Sequence, residues 1–514
     1  MLAAVLPASA FAAPNAYNFG WTTSGADMVK PFQVFDDGQY IYVQFDDPAH
    51  VPAILTETPN GTALLSWRRS YPYIVISYQA NVLIFRAGNQ EARATRCMQA
   101  KTLLSALAYA AAGAGIAFAA WYPGNWVIVL LALPVLWAAS PGRVAAGTMW
   151  AGYYLVAARD IPVVCARFFS VHGELGATPA LAVGVAFWIA QACVLAMPWM
   201  VLKPAPASRQ RGLWWRAALA LLVSTVPPIG IVGWVSPLHV ASVLLPGAGI
   251  YSLVYAVLVL AGLACYPLWL FPVRRPAALG AALVLLVAPV ASSEALPRPP
   301  AGWVAVNTAM GQLDQASYAA LYARSEALQL AARKAFDAGA RVVVLPEEMT
   351  GLWRDSTQFW WDSSLTQLKD SRQTLVMGVD LLVSESPRRY ADSAIVLGAG
   401  DGRFDSRQPV PAGLWRPMAP LSAVLGDLSQ DFLTIDGHRA AFSICYEDFL
   451  FWPHWRLFLV RPDVLLGLAN NWFDDGLAVG EIQRQSISSI ARIAGVPLLR
   501  AVNVPNSPTL NAKP

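Results

Sequence analysis

The pattern of hydrophobic and polar residues divides the chain into three parts. Residues 15–97 contain short runs of β-branched and aromatic residues, such as "GQYIYVQF" and "ANVLIFRAG", with Gly, Asn and Pro between them. This pattern predicts a small all-β module. Residues 98–295 consist mainly of long apolar runs, and residues 302–514 alternate apolar, strand-like runs with amphipathic stretches. The third part is therefore expected to be an α/β layered domain.

The middle part is predicted to be a polytopic α-helical membrane domain of six or seven helices, since a bilayer requires about 20 apolar residues per helix. The apolar runs cover residues 103–121, 125–139, 143–158, 179–202, 214–235, 249–271 and 277–293. Positive residues gather after the second, fourth and sixth runs, most densely between Lys203 and Arg216. By the positive-inside rule, we expect a multi-pass protein of the bacterial inner membrane whose C-terminal domain faces the periplasm.

The N-terminus conflicts with this orientation. Residues 1–14, "MLAAVLPASAFAAP", have the pattern of a secretory signal without its positive n-region, and such a signal would export residues 15–97. The loop charges instead place the start of the first membrane helix in the cytoplasm. Met98, followed by Lys101 and an apolar run, is typical of a natural N-terminus. We therefore expect two neighbouring reading frames joined near residue 97; the alternative is a true fusion with an extra or missing span.

Composition narrows the classes of function. The chain is 56% hydrophobic and 13% charged, which is too apolar for a typical soluble protein. The net charge of +4 includes no long basic run, so direct binding of nucleic acid is not expected. The five cysteines lack CxxC spacing and the five histidines are scattered, so neither a zinc site, a disulfide framework nor a cofactor is predicted.

Candidate chemistry lies at the ends of predicted strands. Glu347 follows "VVVLP", Cys445 follows "AAFSI", and Asn471 and Trp472 follow "DVLLGLAN". Ligand sites in open α/β sheets gather at the carboxyl ends of strands, so these residues could meet. A thiol needs a base to become a nucleophile, and a desolvated carboxylate can accept and return its proton. Cys445 is thus a candidate nucleophile; the alternative is a buried thiol at the end of a strand.

The order of these motifs resembles the nitrilase, or carbon-nitrogen hydrolase, superfamily. Together with the membrane part, it resembles the apolipoprotein N-acyltransferases and, more closely, the TraB-type conjugal transfer proteins. The resemblance implies an αββα-type sandwich, with Glu347 in "VVVLPEE" as general base and Cys445 in "SICYEDF" as nucleophile. It assigns Glu447 as a supporting carboxylate. It also implies three substrate-binding residues, Tyr446, Asn471 and Trp472.

The sequence departs from this superfamily in two places. The relatives carry a lysine that stabilises the oxyanion, but Ser406 occupies that position, and Arg407 beside it is a possible substitute with a different geometry. Losing one oxyanion donor can cost roughly 100- to 1000-fold in rate. The domain from residue 302 is also short for this fold, so we expect either a truncated reading frame or a trimmed natural domain.

The predicted function is thiol-dependent acyl transfer to an amine, or amide cleavage, through a thioester at Cys445. A membrane lipid is a possible acyl donor, because the site would lie at the membrane surface. Residues 15–97 resemble the C-terminal β-domain of the TrbG family of type IV secretion subunits, which implies plasmid conjugation and its machinery as partners. The alternative function is a catalytically inactive scaffold component of that machinery.

Overall fold

The computed structural model describes residues 17–47, 49–58, 61–96, 100–171, 176–204, 212–265 and 296–506. Four features predicted from the sequence lie outside these residues. They are the signal-like segment, the junction near residue 97, the seventh apolar run and the C-terminal tail.

The N-terminal part is all-β, as predicted. Its strands form two antiparallel sheets in the orders β1-β9-β8-β4-β5 and β2-β3-β7-β6. Buried residues alternate with more exposed ones along strands such as Ile41–Gln44 and Ala53–Thr58, and the buried residues of both sheets form one core that includes Val43, Ile54 and Phe85. The strands are β1 (Trp21–Gly25), β2 (Gln33–Asp36), β3 (Ile41–Gln44), β4 (Ala53–Thr58), β5 (Gly61–Leu64), β6 (Trp67–Ser70), β7 (Tyr73–Ile76), β8 (Val82–Ala87) and β9 (Gln90–Arg96).

The middle part is helical. Its helices are α1 (Ala100–Ala120), α2 (Ala132–Ala139), α3 (Arg143–Ala157), α4 (Ile161–Val171), α5 (Ala177–Leu202), α6 (Leu213–Thr225), α7 (Ala241–Leu244) and α8 (Ile250–Leu263). Within the described residues, two segments are long and apolar enough to cross a membrane, Leu103–Ala120 of α1 and the whole of α5. Four further apolar helical segments of 10–17 residues lie at Val127–Ala139, Ile161–Ser170, Leu213–Thr225 and Ile250–Leu263.

The helices differ from the apolar runs in two respects. The run at 214–235 is not one helix, because α6 ends at Thr225, before Pro227 and Pro228, and a 3₁₀ turn follows at Ile229–Val232. Proline in a helix interior removes a backbone hydrogen bond and clashes with the preceding turn. Helix α4 was not among the predicted spans, because "IPVVCARFFSV" is short and carries a charge.

Close backbone contact holds α1 against α3. A Cβ at Gly113 would lie 1.9 Å from the Met149 carbonyl oxygen, and a Cβ at Gly152 would lie 2.2 Å from that of Ala110. Small residues at these crossings are typical of helices packed in membranes. The apolar core of this helical part continues without a break to Tyr446 and to the last helix of the chain.

The C-terminal part contains ten strands and four helices in its described residues. The strands are β10 (Trp303–Ala305), β11 (Val342–Val344), β12 (Thr374–Glu385), β13 (Arg388–Gly398), β14 (Gly402–Asp405), β15 (Leu421–Ala423), β16 (Leu433–Ile435), β17 (His438–Ile444), β18 (Val464–Asn470) and β19 (Leu498–Asn503). The helices are α9 (Tyr318–Asp337), α10 (Asp355–Asp370), α11 (Trp455–Leu459) and α12 (Val479–Ala494).

These elements form four layers. One sheet has the order β10-β11-β12-β13-β14, with β15 paired to β13, and the other has the order β16-β17-β18-β19. Apolar residues of both sheets, such as Val344 and Phe442, pack between them. Helices α9 and α10 cover the outer face of the first sheet, and α12 packs on the second. This order of helix, sheet, sheet and helix is the predicted αββα sandwich.

Candidate active site

Three strand ends meet at one edge of the sandwich. Glu347 follows β11 after two residues, Cys445 follows β17 directly, and Asn470 ends β18. Since β17 and β18 are parallel, their carboxyl ends share an edge. The Asn470 backbone N–H donates to Glu347 Oε2 at 2.9 Å, and the Cys445 thiol donates to the Glu347 carboxylate. The candidate nucleophile and base are therefore in contact.

The neighbouring strand approaches the base closely. A Cβ at Gly378 of β12 would lie 2.4 Å from the Glu347 Cα, so any larger residue would displace the base. The Gly378 backbone N–H donates to the Pro346 carbonyl at 3.1 Å, and its carbonyl accepts from the Met349 N–H at 3.1 Å. These bonds fix the backbone on both sides of Glu347.

Cys445 has a strained backbone conformation. Its φ of 44° lies in the left-handed region, where a residue with a side chain costs roughly 1–3 kcal/mol. The residue begins a 3₁₀ turn, Cys445–Phe449, and its carbonyl accepts a hydrogen bond from Gln483 Nε2 at 2.9 Å. Such strain clusters at functional sites, whereas a thiol that only fills a core does not require it.

The electrostatic environment keeps the thiol proton in place at rest. Burial raises the pKa of the Glu347 carboxyl well above its ordinary value, and a negative charge on the Asp392 carboxyl beside it would raise that pKa further. Burial also raises the pKa of the Cys445 thiol, and the adjacent Glu347 charge adds to this. The arrangement is therefore a neutral thiol with a poised base rather than a preformed thiolate.

Glu447 and Arg407 form a buried ion pair away from the thiol. Arg407 Nη2 lies 2.6 Å from Glu447 Oε2, and the guanidinium also donates to the carbonyls of Pro453 at 2.5 Å and Phe442 at 2.7 Å. Arg407 does not line the cavity at Cys445. These partners occupy its donors, so the predicted substitution of Arg407 for the missing lysine is not supported by its position. Glu447 supports the turn that carries Cys445.

The three predicted substrate-binding residues line one cavity with Cys445 and Glu347. The Tyr446 hydroxyl donates to the Ile231 carbonyl at 2.7 Å and accepts from Trp234 Nε1 at 2.5 Å. Asn471 Nδ2 donates to Gln483 Oε1 at 2.8 Å. Trp472 stacks on the ring of Phe168 at 6.0 Å.

The cavity has a volume of about 160 Å³ and is mostly apolar. Helices α4 and α5 supply one wall, with residues spaced three or four apart along each helix. These residues are Ile161, Val164, Cys165, Phe168, Val183 and Phe187. The sandwich supplies the polar end, where Glu347, Glu348 and the strand-end amides lie. The cavity therefore suits a ligand that places an apolar group against α4 and α5 and a polar group at Cys445.

Helix α4 also fixes the loop that carries Trp472. Arg167 Nη1 donates to the carbonyls of Phe473 at 2.5 Å and Asp475 at 2.9 Å. Asp160 Oδ2 accepts from the Ala478 backbone N–H at 2.7 Å. The helical part therefore determines the shape of the cavity.

Several residues of the site were missed by the sequence analysis. Gln483 donates to the Cys445 carbonyl, and Asp392 lies beside Glu347. An acidic residue inside an apolar strand, as in "YADSAIVLG", is a signal that could have identified Asp392. In the part of the chain that is described, no group of three or more His, Cys, Asp or Glu side chains is arranged to hold a metal ion.

The C-terminal part is thus an αββα sandwich with a cysteine and a glutamate together at the ends of its strands. Among solved structures, an amidase of the nitrilase superfamily from Nesterenkonia sp. AN1 is similar, with a TM-score of 0.28 and 15% identity. The match covers 41% of this chain and 79% of that amidase.

Over most of its length, the chain is homologous to conjugal transfer proteins named TraB. It is 29% identical to conjugal transfer protein TraB of Agrobacterium fabrum over 388 residues, which cover 72% of this chain and 86% of the relative. It is 27% identical to the probable TraB of Sinorhizobium fredii, with coverage of 73% and 92%. The predicted resemblance is confirmed.

Two further matches concern parts of the chain. Residues 3–97 match the CagX family, described as a conjugal transfer protein. An apolipoprotein N-acyltransferase of Pseudomonas putida is 27% identical over 179 residues, which cover 32% of this chain and 35% of the relative. The β module and the rest of the chain therefore both resemble conjugal transfer proteins, and the relation to the acyltransferases is more distant.

Proposed function

We propose that the protein transfers an acyl group to an amine, or cleaves an amide, through a thioester at Cys445. The observation that carries this proposal is the contact between the Cys445 thiol and the Glu347 carboxylate at the polar end of an apolar cavity. Glu347 accepts the thiol proton as Sγ attacks the acyl carbonyl, and returns it to the leaving group. The acceptor amine then attacks the thioester and gives a proton to Glu347; the C–S bond breaks, the amide is released, and Glu347 returns the proton to Cys445 Sγ.

A membrane lipid is the proposed acyl donor. The cavity wall formed by α4 and α5 is apolar, and α5 is one of the two helices long enough to cross a membrane. A lipid acyl chain could therefore lie against this wall with its ester carbonyl at Cys445. This agrees with the proposed multi-pass location in the inner membrane, a C-terminal domain facing the periplasm and a role beside the proteins of the conjugation machinery.

A scaffold without catalytic activity is the second candidate. Ser406 stands where the relatives of the nitrilase superfamily carry a lysine, and the neighbouring Arg407 is bound to Glu447. A site without this positive charge has lost one means of stabilising an oxyanion. The protein could then support conjugation by binding alone.

Conjugation frequency in a mating assay separates the two functions. If the protein is an enzyme, Cys445→Ser should abolish plasmid transfer. Cys193 lies on α5 but does not line the cavity, so Cys193→Ser should leave transfer at the wild-type level. If the protein is a scaffold, both variants should transfer at the wild-type level, provided that immunoblots show equal amounts of protein. Retained transfer by Cys445→Ser would exclude the catalytic proposal.

A further inference from the structure

Three polar side chains form a row across adjacent strands behind the site. Asp380 of β12 pairs in register with Asp392 of β13. The Ser406 backbone N–H, just after β14, donates to the Asp392 carbonyl at 2.7 Å, which continues the register of β13 and β14. Residues paired across antiparallel strands project to the same face, so the three side chains lie side by side.

Asp392 is buried without a hydrogen-bond donor for one of its oxygens. Its side chain is 2% exposed, and Oδ1 has no partner among the described residues. The Ser406 hydroxyl, 1% exposed, also lacks a partner there. The Asp392 carboxyl does contact Glu347. A buried carboxylate without donors is strongly disfavoured, whereas a buried carboxylic acid can itself donate a hydrogen bond.

Glu347 has the opposite environment. Its carboxylate accepts from the Asn470 backbone N–H and from the Cys445 thiol, and both bonds favour its ionised form. Two carboxyl groups in contact share one proton, because two negative charges so close together repel each other strongly. The distribution of donors assigns the charge to Glu347 and the proton to Asp392.

The acidic groups around Asp392 also favour its protonated form. The acidic groups that face Asp392 or Glu347 are Asp380, Glu348, Asp405 and Glu447. Of the nearby cations, Arg407 pairs with Glu447, and Arg416 lies close enough to Tyr390 for its positive charge to favour the ionised phenol. Neither Asp392 nor Ser406 lines the cavity at Cys445. Asp392 can therefore influence the reaction through Glu347 but does not reach a substrate in that cavity.

We propose that Asp392 is a positioning residue that keeps its proton at neutral pH and donates a hydrogen bond to the Glu347 carboxylate. The inference rests on the proposed role of Glu347 as the base for Cys445. During attack, the thiol proton moves to Glu347 while the Asp392 proton stays on Asp392. When the leaving group departs, Glu347 returns its proton, and the pair again holds a single proton. Asp392 thus keeps the base ionised in a site where no lysine stands at position 406.

The pH dependence of Cys445 alkylation in the full-length protein tests this role. Iodoacetamide labelling is measured by mass spectrometry from acid to neutral pH, and the midpoint of its rise reports the ionisation of Glu347. Asp392→Asn keeps a hydrogen-bond donor, so its midpoint should stay within about half a pH unit of wild type. Asp392→Leu has no donor, so its midpoint should rise by about one to two pH units.

The controls separate this inference from the proposed function. Asp380→Asn changes the next residue of the same row and should leave the midpoint unchanged. A lower midpoint in Asp392→Asn would show that Asp392 is ionised in the wild type and would overturn the inference. Unchanged midpoints in both Asp392 variants would also overturn it. If Cys445 of Glu347→Gln is labelled as fast as that of wild type, Glu347 is not the base, and both proposals are excluded. If labelling is slowed only in Glu347→Gln, the proposed function stands and the role of Asp392 is excluded.

Discussion

At the residue scale, the site pairs a thiol that keeps its proton at rest with a carboxylate that burial makes a stronger base. Burial raises the pKa of Cys445 and that of Glu347, so the proton moves only when attack on a carbonyl makes the transfer favourable. This differs from cysteines whose thiolate is stabilised by a nearby cation. The Glu347 contact is therefore the feature on which the chemistry depends.

Arg407 is expected to affect stability rather than chemistry. Arg407→Met leaves the buried Glu447 carboxylate unpaired, which should lower the free energy of unfolding by about 3–5 kcal/mol. The double variant with Glu447→Gln removes the uncompensated charge and should recover much of the loss. Thermal unfolding in detergent measures both effects. If Arg407→Met is as stable as wild type but does not form an acyl-enzyme, Arg407 stabilises the oxyanion rather than the fold.

The sequence predicted that Glu347 and Cys445 could meet, because each follows an apolar strand in a recognisable motif. The position of Arg407 could not be predicted, since adjacency to Ser406 in sequence does not determine where a long side chain points. Asp392 was missed because its partner, Glu347, lies 45 residues earlier in the chain on another strand. Such pairs arise only from sheet register.

At the element scale, helix α4 connects the helical part to the site. Its residues line the cavity, Phe168 stacks on Trp472, and Arg167 holds the following loop. Sequence analysis predicted the long apolar helices, but α4 was not predicted, because its apolar face contacts protein rather than spanning a bilayer. Likewise, the proline pair that ends α6 was overlooked when hydropathy alone defined the run.

Phe168→Ala should impair recognition of acyl chains. The variant removes an aromatic wall of the cavity, so labelling of Cys445 by a dodecyl bromoacetamide should slow about tenfold relative to labelling by bromoacetamide itself. Val163→Ala changes an exposed residue of the same helix that does not line the cavity and should leave this ratio unchanged. An unchanged ratio in Phe168→Ala would mean that acyl chains do not bind against α4.

At the scale of the whole molecule, the contribution of Asp448 to stability should fall as pH rises. Burial raises the pKa of Asp448 to about 7, so the folded protein binds a proton that the unfolded chain releases near pH 4. The stabilisation is therefore present below about pH 4 and is lost as pH approaches about 7. Asp448→Asn should reduce the decrease in melting temperature between about pH 5 and pH 8.

Exposed Asp401 provides the control for this measurement. Asp401→Asn should show the wild-type decrease, because its carboxylate is solvated in both states. Other buried carboxyls, including Asp392 and Glu347, titrate in the same direction, so Asp448→Asn should remove only part of the slope. An Asp448→Asn decrease as large as that of wild type would contradict the account.

The proposed orientation makes a separate prediction. Positive residues between Lys203 and Arg216 place that loop in the cytoplasm, and the C-terminal domain should then lie in the periplasm. A phosphatase that is active only after export, fused after Pro300, should be active in cells. A reporter active only in the cytoplasm should be silent at the same site. The reverse pattern would exclude the periplasmic location and access to lipid from that side.

The most direct test of the central claim is detection of the thioester itself. The purified full-length protein is incubated with phospholipid vesicles, and Cys445 peptides are analysed by mass spectrometry before and after neutral hydroxylamine, which cleaves thioesters. Wild type should carry a hydroxylamine-sensitive acyl group on Cys445, whereas Glu347→Gln, which keeps the shape of the side chain but removes the base, should accumulate far less. An acyl group that is absent from the wild type, or equally abundant in Glu347→Gln, would contradict catalysis by this pair.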